Sequence, residues 1–355
     1  MEERRGHGDD RRRSARALAH GGGRGRAGPQ ARGADRPGDP RGTLELLAWA
    51  DRWTVRRWAL EDCRHLSRQL ERDLLRAGAS VVRVSPRLMA GARRSGRQPG
   101  KSDPIDALAV ARATLREPDL PVARLDGPDR DVRLLVDHRE DLVAERTRAQ
   151  NRLRWHLHEL VPGDEPAPRS LDRRHVLAAL EERLAGLSGT VARIARELVA
   201  RIRELTGIID RLERDLAGLV AGLAPNLLAL EGCGALTAAK LVGETADVSR
   251  FRSPAAFARH DGTAPVPVWS GNVTRHRLSR GGNRQLNAAL HRIAVTQLQR
   301  PGRGRDYIAK RLAAGDTKTE AIWALRRRIS DEVYRRMLQD VTSDQARQAP
   351  LAMAA

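Results

Sequence analysis

Cysteine, lysine and aromatic residues are nearly missing from this chain of 355 residues, which has two Cys, four Lys, six Trp, two Tyr and two Phe. Cys63 and Cys233 are too few and too far apart for a disulfide framework or a cysteine-rich zinc finger. The scarcity of aromatics argues against modules that read unpaired strands by serial base stacking. No apolar run approaches the ~18 residues of a membrane-spanning helix, so no membrane partner is expected. The N-terminus has charges but no apolar segment, which predicts a cytoplasmic protein rather than a secreted one.

What is abundant is arginine. Sixty-five basic residues face 45 acids, for a net charge of +20. Codon bias in GC-rich DNA accounts for Arg over Lys but not for bases over acids. The excess points to a polyanion, gripped through its backbone. Apolar residues make up 40% of the chain, enough for two or three domains with buried cores.

Residues 1–42 contain 11 Arg and six acids among Gly and Pro, with neither helical nor strand periodicity. They read as a disordered basic arm, or as text from a shifted frame or wrong start. Beyond Thr43, residues 54–60 and 80–84 read as strands around a helix containing Leu66, Leu70 and Leu74, with Gly78 as its stop. Strand, helix, strand is a βαβ unit, hence a parallel pair in an α/β layer. A basic loop, 93–101, leads into a helix from Ser102 to about Arg116. Residues 127–223 read as helical with a break at 162–168. From Leu177 to Leu223, apolar residues recur in steps of three and four, with one stutter at Ile194–Leu198–Ile202. That is a coiled-coil seam, expected to pack against residues 130–160, a second chain, or both. Gly232-Cys233-Gly234 before an Ala-rich helix is similar to a helix-hairpin-helix, whose backbone N–H groups face phosphate. Residues 262–311 hold ten bases and one acid, which favours a phosphate-contacting surface.

Gly100-Lys101-Ser102-Asp103-Pro104-Ile105-Asp106 places two carboxylates three residues apart at a helix start, with Ser102 as N-cap and Pro104 in the first turn. Acids there also serve the helix dipole. Glu61 stands at a strand end, where α/β sheets hold their ligands. Three such carboxylates together would suit a hard divalent cation such as Mg²⁺.

Trp58-Ala59-Leu60-Glu61 and Gly100 to Ala107 resemble the RuvC-like nuclease domain of DEDD-type insertion-sequence transposases, the IS-one-ten class. Leu230 to Glu244, Gly262-Thr263-Ala264-Pro265, Trp269-Ser270-Gly271 and Leu278-Ser279-Arg280-Gly281-Gly282-Asn283-Arg284 are similar to that family's C-terminal transposase domain. The resemblance covers about 43–340. It implies an α/β plus α fold: a RuvC-like (RNase H-like) domain at 43–126, lacking its first strand; a coiled-coil spacer at 127–224; a mainly helical transposase domain at 225–340; and a tail at 341–355. It further implies a recombinase in which Glu61, Asp103 and Asp106 match the second, third and fourth acids and bind Mg²⁺. Ser270 matches the serine nucleophile. The first acid has no counterpart. Gly232, Gly234, Arg275, Arg277, Arg280, Asn283 and Arg284 are the expected nucleic-acid contacts. The implied partners are DNA, a structured guide RNA and further copies of the chain, as a dimer or tetramer through the coiled coil. Two other readings compete: a metal-dependent junction nuclease with Ser270 structural, and a non-enzymatic coiled-coil nucleic-acid-binding protein.

Overall fold

The computed structural model describes residues 14–17, 34–37, 40–53, 56–62, 64–94, 102–117, 120, 122–270, 273–278 and 281–352. Most of them are helical, and the strands are few and short. The chain divides into two compact units, Met1–Asp126 and Gly127–Ala355.

The first unit runs β1 (Ser14–Ala17), β2 (Ala34–Pro37), α1 (Pro40–Ala50), β3 (Trp58–Glu61), α2 (Arg64–Arg76), β4 (Val81–Val84), α3 (Pro86–Arg94) and α4 (Asp103–Arg116). The expected βαβ unit is present. β3 and β4 are parallel, from Trp58 beside Val81 to Glu61 beside Val84, and Gly78 stops α2 at φ +75°. The strand period of two sorts their side chains. Trp58, Leu60 and Val81 pack with Leu46, Ala50 and Leu74 of α1 and α2. Ala59, Val82 and Val84 pack with Met89 and Ala92 of α3 and with Ala109, Val110 and Ala113 of α4. On the α2 side, Arg83 donates two hydrogen bonds to Glu71, at 2.7 and 2.5 Å.

Several boundaries differ from the sequence reading. The first strand begins at Trp58 rather than residue 54, because Arg56 is drawn back to α1, bonding Asp51 at 2.7 Å and the Ala50 carbonyl at 3.0 Å. The 93–101 loop begins inside α3, a helix the sequence reading missed. Pro86 opens that helix rather than merely closing the preceding strand, since a helix start needs no N–H there. Ser102 takes the extended N-cap backbone of α4, but its hydroxyl makes no capping bond. Within the stretch read as aperiodic, β1 and β2 form an antiparallel pair, and β1 runs beside β3 and α4. The rest of 1–39 lies outside the described residues.

The second unit is built on α5 (Pro128–Leu160), α6 (Arg174–Ala185) and α7 (Thr190–Leu223). Arg139–Glu213, Glu145–Arg201 and Arg146–Thr206 contacts make α5 and α7 antiparallel. Glu181–Arg203 and Arg174–Asp210 do the same for α6 and α7. The expected continuous seam is therefore broken. Gly189, at φ +97°, reverses the chain, and α6 folds back. Leu177, Leu180 and Leu184 then pack on Ala195, Val199 and Ile202 of α7 and on Leu153 and Leu157 of α5. These seam leucines are thus packed from within the chain itself.

Then come α8 (Pro225–Leu228), α9 (Ala235–Thr245), α10 (Pro254–Asp261), β5 (Pro265–Ser270), β6 (Val273–Leu278), α11 (Arg284–Gln299), α12 (Arg303–Ala313) and α13 (Lys318–Ala352). Val132 and Val136 of α5 and Leu216 and Val220 of α7 share one core with α9, α11 and α13. The helical segment 127–224 and the segment after it thus form one body.

Ala-rich α9 is explained by its crossing of α5. A methyl group on Gly243 would sit 2.8 Å from the Arg133 Cα, and backbone cannot yield as a flexible side chain does. Gly243→Ala should cost about 1–3 kcal/mol, read as a lower denaturant midpoint at unchanged slope. Wild-type stability in that variant would show that the crossing is loose.

Candidate active site and nucleic-acid interface

Strand alternation and helix packing bring two of the three predicted acids to one face. Glu61 ends β3 on the side of Ala59, and therefore on the side covered by α3 and α4. It lies at the carboxyl end of a parallel strand, the usual ligand edge of such sheets. Asp106 stands in the first turn of α4, which packs on that same face. Its partner is Arg93 of α3, whose Nη1 donates to Asp106 Oδ1 at 2.8 Å. Asp103 opens α4, but its side chain is outside the described residues. Among the described residues, no three His, Cys, Asp or Glu side chains are grouped as for a metal ion. The oxygen donors suit a hard cation, although Asp106 would have to exchange the Arg93 guanidinium for it. Arg93 was expected only as part of a basic loop.

In the second unit, Ser270 is the last residue of β5. It pairs with Val273 across the turn of an antiparallel hairpin whose other end pairs Pro265 with Leu278. The Ser270 side chain, with those of Arg275 and Arg280, lies outside the described residues. A two-glycine crossing holds the foot of this hairpin. Gly262 at φ +77° and Gly282 at φ +89° approach so closely that a Cβ on Gly282 would fall 2.7 Å from the Gly262 nitrogen. The Gly-Thr-Ala-Pro and Leu-Ser-Arg-Gly-Gly-Asn-Arg motifs thus meet in space.

Asp261 locks this crossing from beneath and was not foreseen. It is fully buried. Its Oδ1 accepts from the Thr263 amide at 2.8 Å and hydroxyl at 2.6 Å, and its Oδ2 accepts from Ser330 at 2.6 Å. Burial pushes its carboxyl up to about 6, against the lowering by the Ser330 and Thr263 hydrogen bonds and by Arg327. The only sequence signal was a lone acid just ahead of the basic stretch.

Asn283 is engaged within the fold. Its Oδ1 accepts from the Gln285 and Leu286 amides as the cap of α11, and its Nδ2 donates to Glu244 at 2.6 Å. Gly232 has φ +83°, and a Cβ there would meet the Ile293 carbonyl at 3.1 Å, so helix packing demands this glycine. Gly234 is open and starts α9. Both line a groove of about 870 Å³ with His291, Arg292 and Arg300. Cys233 is buried beside them, its thiol pushed up to about 12 by burial, so it supplies no thiolate. Arg277 and Arg284 are exposed. No helix among the described residues is long and apolar enough to cross a membrane.

These two regions are also where the chain matches known proteins. Residues 32–162 match the DEDD transposase domain of the IS110 type, and residues 224–309 match the Transposase IS116/IS110/IS902 family. The first match begins ahead of Thr43, at residue 32. The insertion element IS116 44.8 kDa protein of Streptomyces clavuligerus is 30% identical over 348 residues, covering 84% of this chain and 86% of that relative. The IS110 43.6 kDa protein of Streptomyces coelicolor is 30% identical, covering 70% and 73%. The transposase for insertion sequence element IS1328 of Yersinia enterocolitica is 27% identical, covering 72% and 73%. A DEDD domain implies an RNase H-like fold for the first unit, whose parallel pair between helices is a part of that architecture. The chain belongs to the IS110/IS116 family of insertion-element transposases, a class of DNA-binding enzymes.

Proposed function

We propose that this transposase cuts and rejoins DNA through Ser270, with Glu61, Asp103 and Asp106 holding Mg²⁺. The observation that carries the reading is the serine at the tip of a hairpin whose foot is locked by the Gly262–Gly282 crossing. A locked foot restricts where the tip can go, and positioning is a large part of catalysis. The Ser270 Oγ attacks a phosphodiester phosphorus as its proton leaves to a base. The P–O bond to one DNA end breaks, and that end departs as a protonated hydroxyl. A phosphoserine ester holds the other end until a second DNA hydroxyl attacks it, re-forming the diester and freeing the serine. The exposed Arg277 and Arg284, with Arg275 and Arg280, would hold phosphates along the hairpin. Mg²⁺, where bound, supplies Lewis-acid polarisation and lowers the pKa of a coordinated oxygen. Asp103, Asp106 and Glu61 bring the charge for it, and Arg93 occupies Asp106 until then.

The groove containing Gly234, Arg292 and Arg300 is assigned to a second backbone contact. A guide RNA, a dimer or tetramer, and action at the nucleoid complete the proposal. The nuclease face and the serine belong to separate units, so both units must meet the same DNA. In this reading residues 43–126 form the nuclease domain, 127–224 a helical spacer, 225–340 the transposase domain and 341–355 a tail.

The test is a denaturing gel of chain incubated with end-labelled insertion-element DNA and Mg²⁺. A protease-sensitive covalent adduct is expected, and Ser270→Ala should lack it. An adduct that survives the substitution would transfer the role to another side chain. Cleavage without any adduct would favour the junction-nuclease reading.

A further inference from the structure

The foot of the serine hairpin opens on a second cavity, of about 800 Å³, bounded by β6, α12 and α13. Its volume is in the usual range for a small-molecule site, ~300–1,000 Å³. Trp323 and Tyr307 line it, both only half-buried, in a chain with so few aromatics. The other aromatics described nearby are used internally: Phe251, Phe257 and Tyr334 pack on one another. Trp323 and Tyr307, each partly buried, line the cavity, and Tyr307 also packs on the core.

The charges sort in the same sense. Of the two acids in the wall, Asp316 is paired with Arg311 at 2.5 Å. Glu320 caps α13, accepting from the Thr317 amide at 2.9 Å and hydroxyl at 2.7 Å. Arg327 is paired with Asp331. Among the described residues, Arg277 and Arg328 have no acidic partner. The Arg328 guanidinium lies 5.6 Å from the Tyr307 ring centroid, a cation–π arrangement that holds both in place. Aromatic faces beside two unpaired guanidinium groups match a heteroaromatic base with its phosphate.

We propose that this cavity receives one unstacked nucleotide of the DNA strand that runs along the serine hairpin. The base lies against Trp323 and Tyr307, and the flanking phosphates lie against Arg277 and Arg328. Six residues of strand span about 20 Å, or five to six steps of B-form DNA at ~3.4 Å each. The cavity would thus engage the strand a few nucleotides from the tip, fixing its register beneath Ser270. Stacking does not depend on sequence, so any base fits.

The assignment rests on the DNA-transposase reading, and the test separates the two. Full-length chain is titrated into a DNA duplex with one unpaired 2-aminopurine, into the fully paired duplex, and into an RNA duplex with the same unpaired base. Base stacking contributes about 1–3 kcal/mol, so the unpaired DNA should bind roughly 5- to 150-fold more tightly than paired DNA, with quenched 2-aminopurine emission. Trp323→Ala should bring that ratio to about one, and Trp323→Phe should restore most of it. Tyr307→Ala reads the same ratio if the Trp323→Ala chain does not fold. Equal binding of paired and unpaired DNA overturns the cavity assignment but leaves the transposase reading standing. A preference carried by RNA alone overturns the assignment to DNA. Failure to bind any DNA overturns both.

Discussion

Asp106→Asn should lower Mg²⁺-dependent strand cleavage by about 10³-fold or more, the kinetic equivalent of some 4 kcal/mol, with little loss of stability. The two effects separate because the proposed function gives Asp106 two roles. Its bond to Arg93 joins two partly exposed side chains, and such pairs contribute only about 0–1 kcal/mol. Asparagine keeps the shape and one acceptor oxygen, so α3 and α4 should remain packed through Met89, Ala92, Ala109 and Ala113. What it loses is the negative charge that a hard cation requires. Asp103→Asn should be similarly inactive. The double variant should be hardly worse than either, because residues acting as one unit are not additive. Single-turnover cleavage of labelled DNA, beside a thermal melt, measures both quantities. Wild-type cleavage by Asp106→Asn would remove this carboxylate from the chemistry, and a melt lowered by several degrees would make it a structural acid.

The largest stability effect is expected at Asp261. Asp261→Ala strips the acceptor from the Thr263 amide and from two hydroxyls in a fully buried place. Unmet buried donors and the space left behind should cost about 3–5 kcal/mol. Asp261→Asn should cost much less, since the amide still accepts and Ser330 can turn to accept from it. The asparagine variant also isolates a pH effect. Burial holds the native Asp261 carboxyl at about 6, above its ordinary value of 3.8. The folded state therefore takes up the proton before the unfolded state does. Stabilisation from protonation is full below the unfolded value and is lost as the pH rises through about 6. Arg327 and Arg326 of α13 are the charges facing the carboxyl. From pH 6 to 4, the wild-type chain should gain on the order of 2–3 kcal/mol relative to Asp261→Asn. Urea melts of both chains across that range give the difference directly, and parallel stability curves would mean that the carboxyl titrates normally.

Several features were legible before any coordinates. The parallel pair around α2 followed from two short apolar runs, a leucine-spaced helix and Gly78, because each is a local preference of a few neighbouring residues. The first turn of α4 was readable from Ser102, Asp103 and Pro104 for the same reason. The break at 162–168 was readable from its prolines. Glu61 and Asp106 could be named, since strand-end and helix-start positions are themselves local.

Other features depended on what the chain meets when folded. The steps of three and four from Leu177 to Leu223 suit one long helix or a folded-back hairpin equally well. Gly189 turned the chain, and burial moved to Ala192, Ala195 and Val199, one residue beyond the expected row of Val191, Ile194 and Leu198. Asn283 read as a phosphate contact because its neighbours are arginines, yet Glu244, distant in sequence, engages its amide. Gly232 read as a phosphate-facing hairpin glycine and Gly282 as part of a transposase-domain motif, and each is also required by a close backbone approach from another element. Asp261, Tyr307 and Trp323 carried almost no local signal, because their surroundings come from α13 or are shared between β6, α12 and α13.

Periodicity, caps and composition are properties of adjacent residues, and they are enough to locate the acids and the excess of positive charge, while the serine was named by the family resemblance. Which arginine neutralises Asp106, which carboxylate is buried beneath the hairpin and which aromatics face a cavity are questions of long-range contact. Burial and partner choice depend on residues far apart in the chain, so only the folded chain answers them.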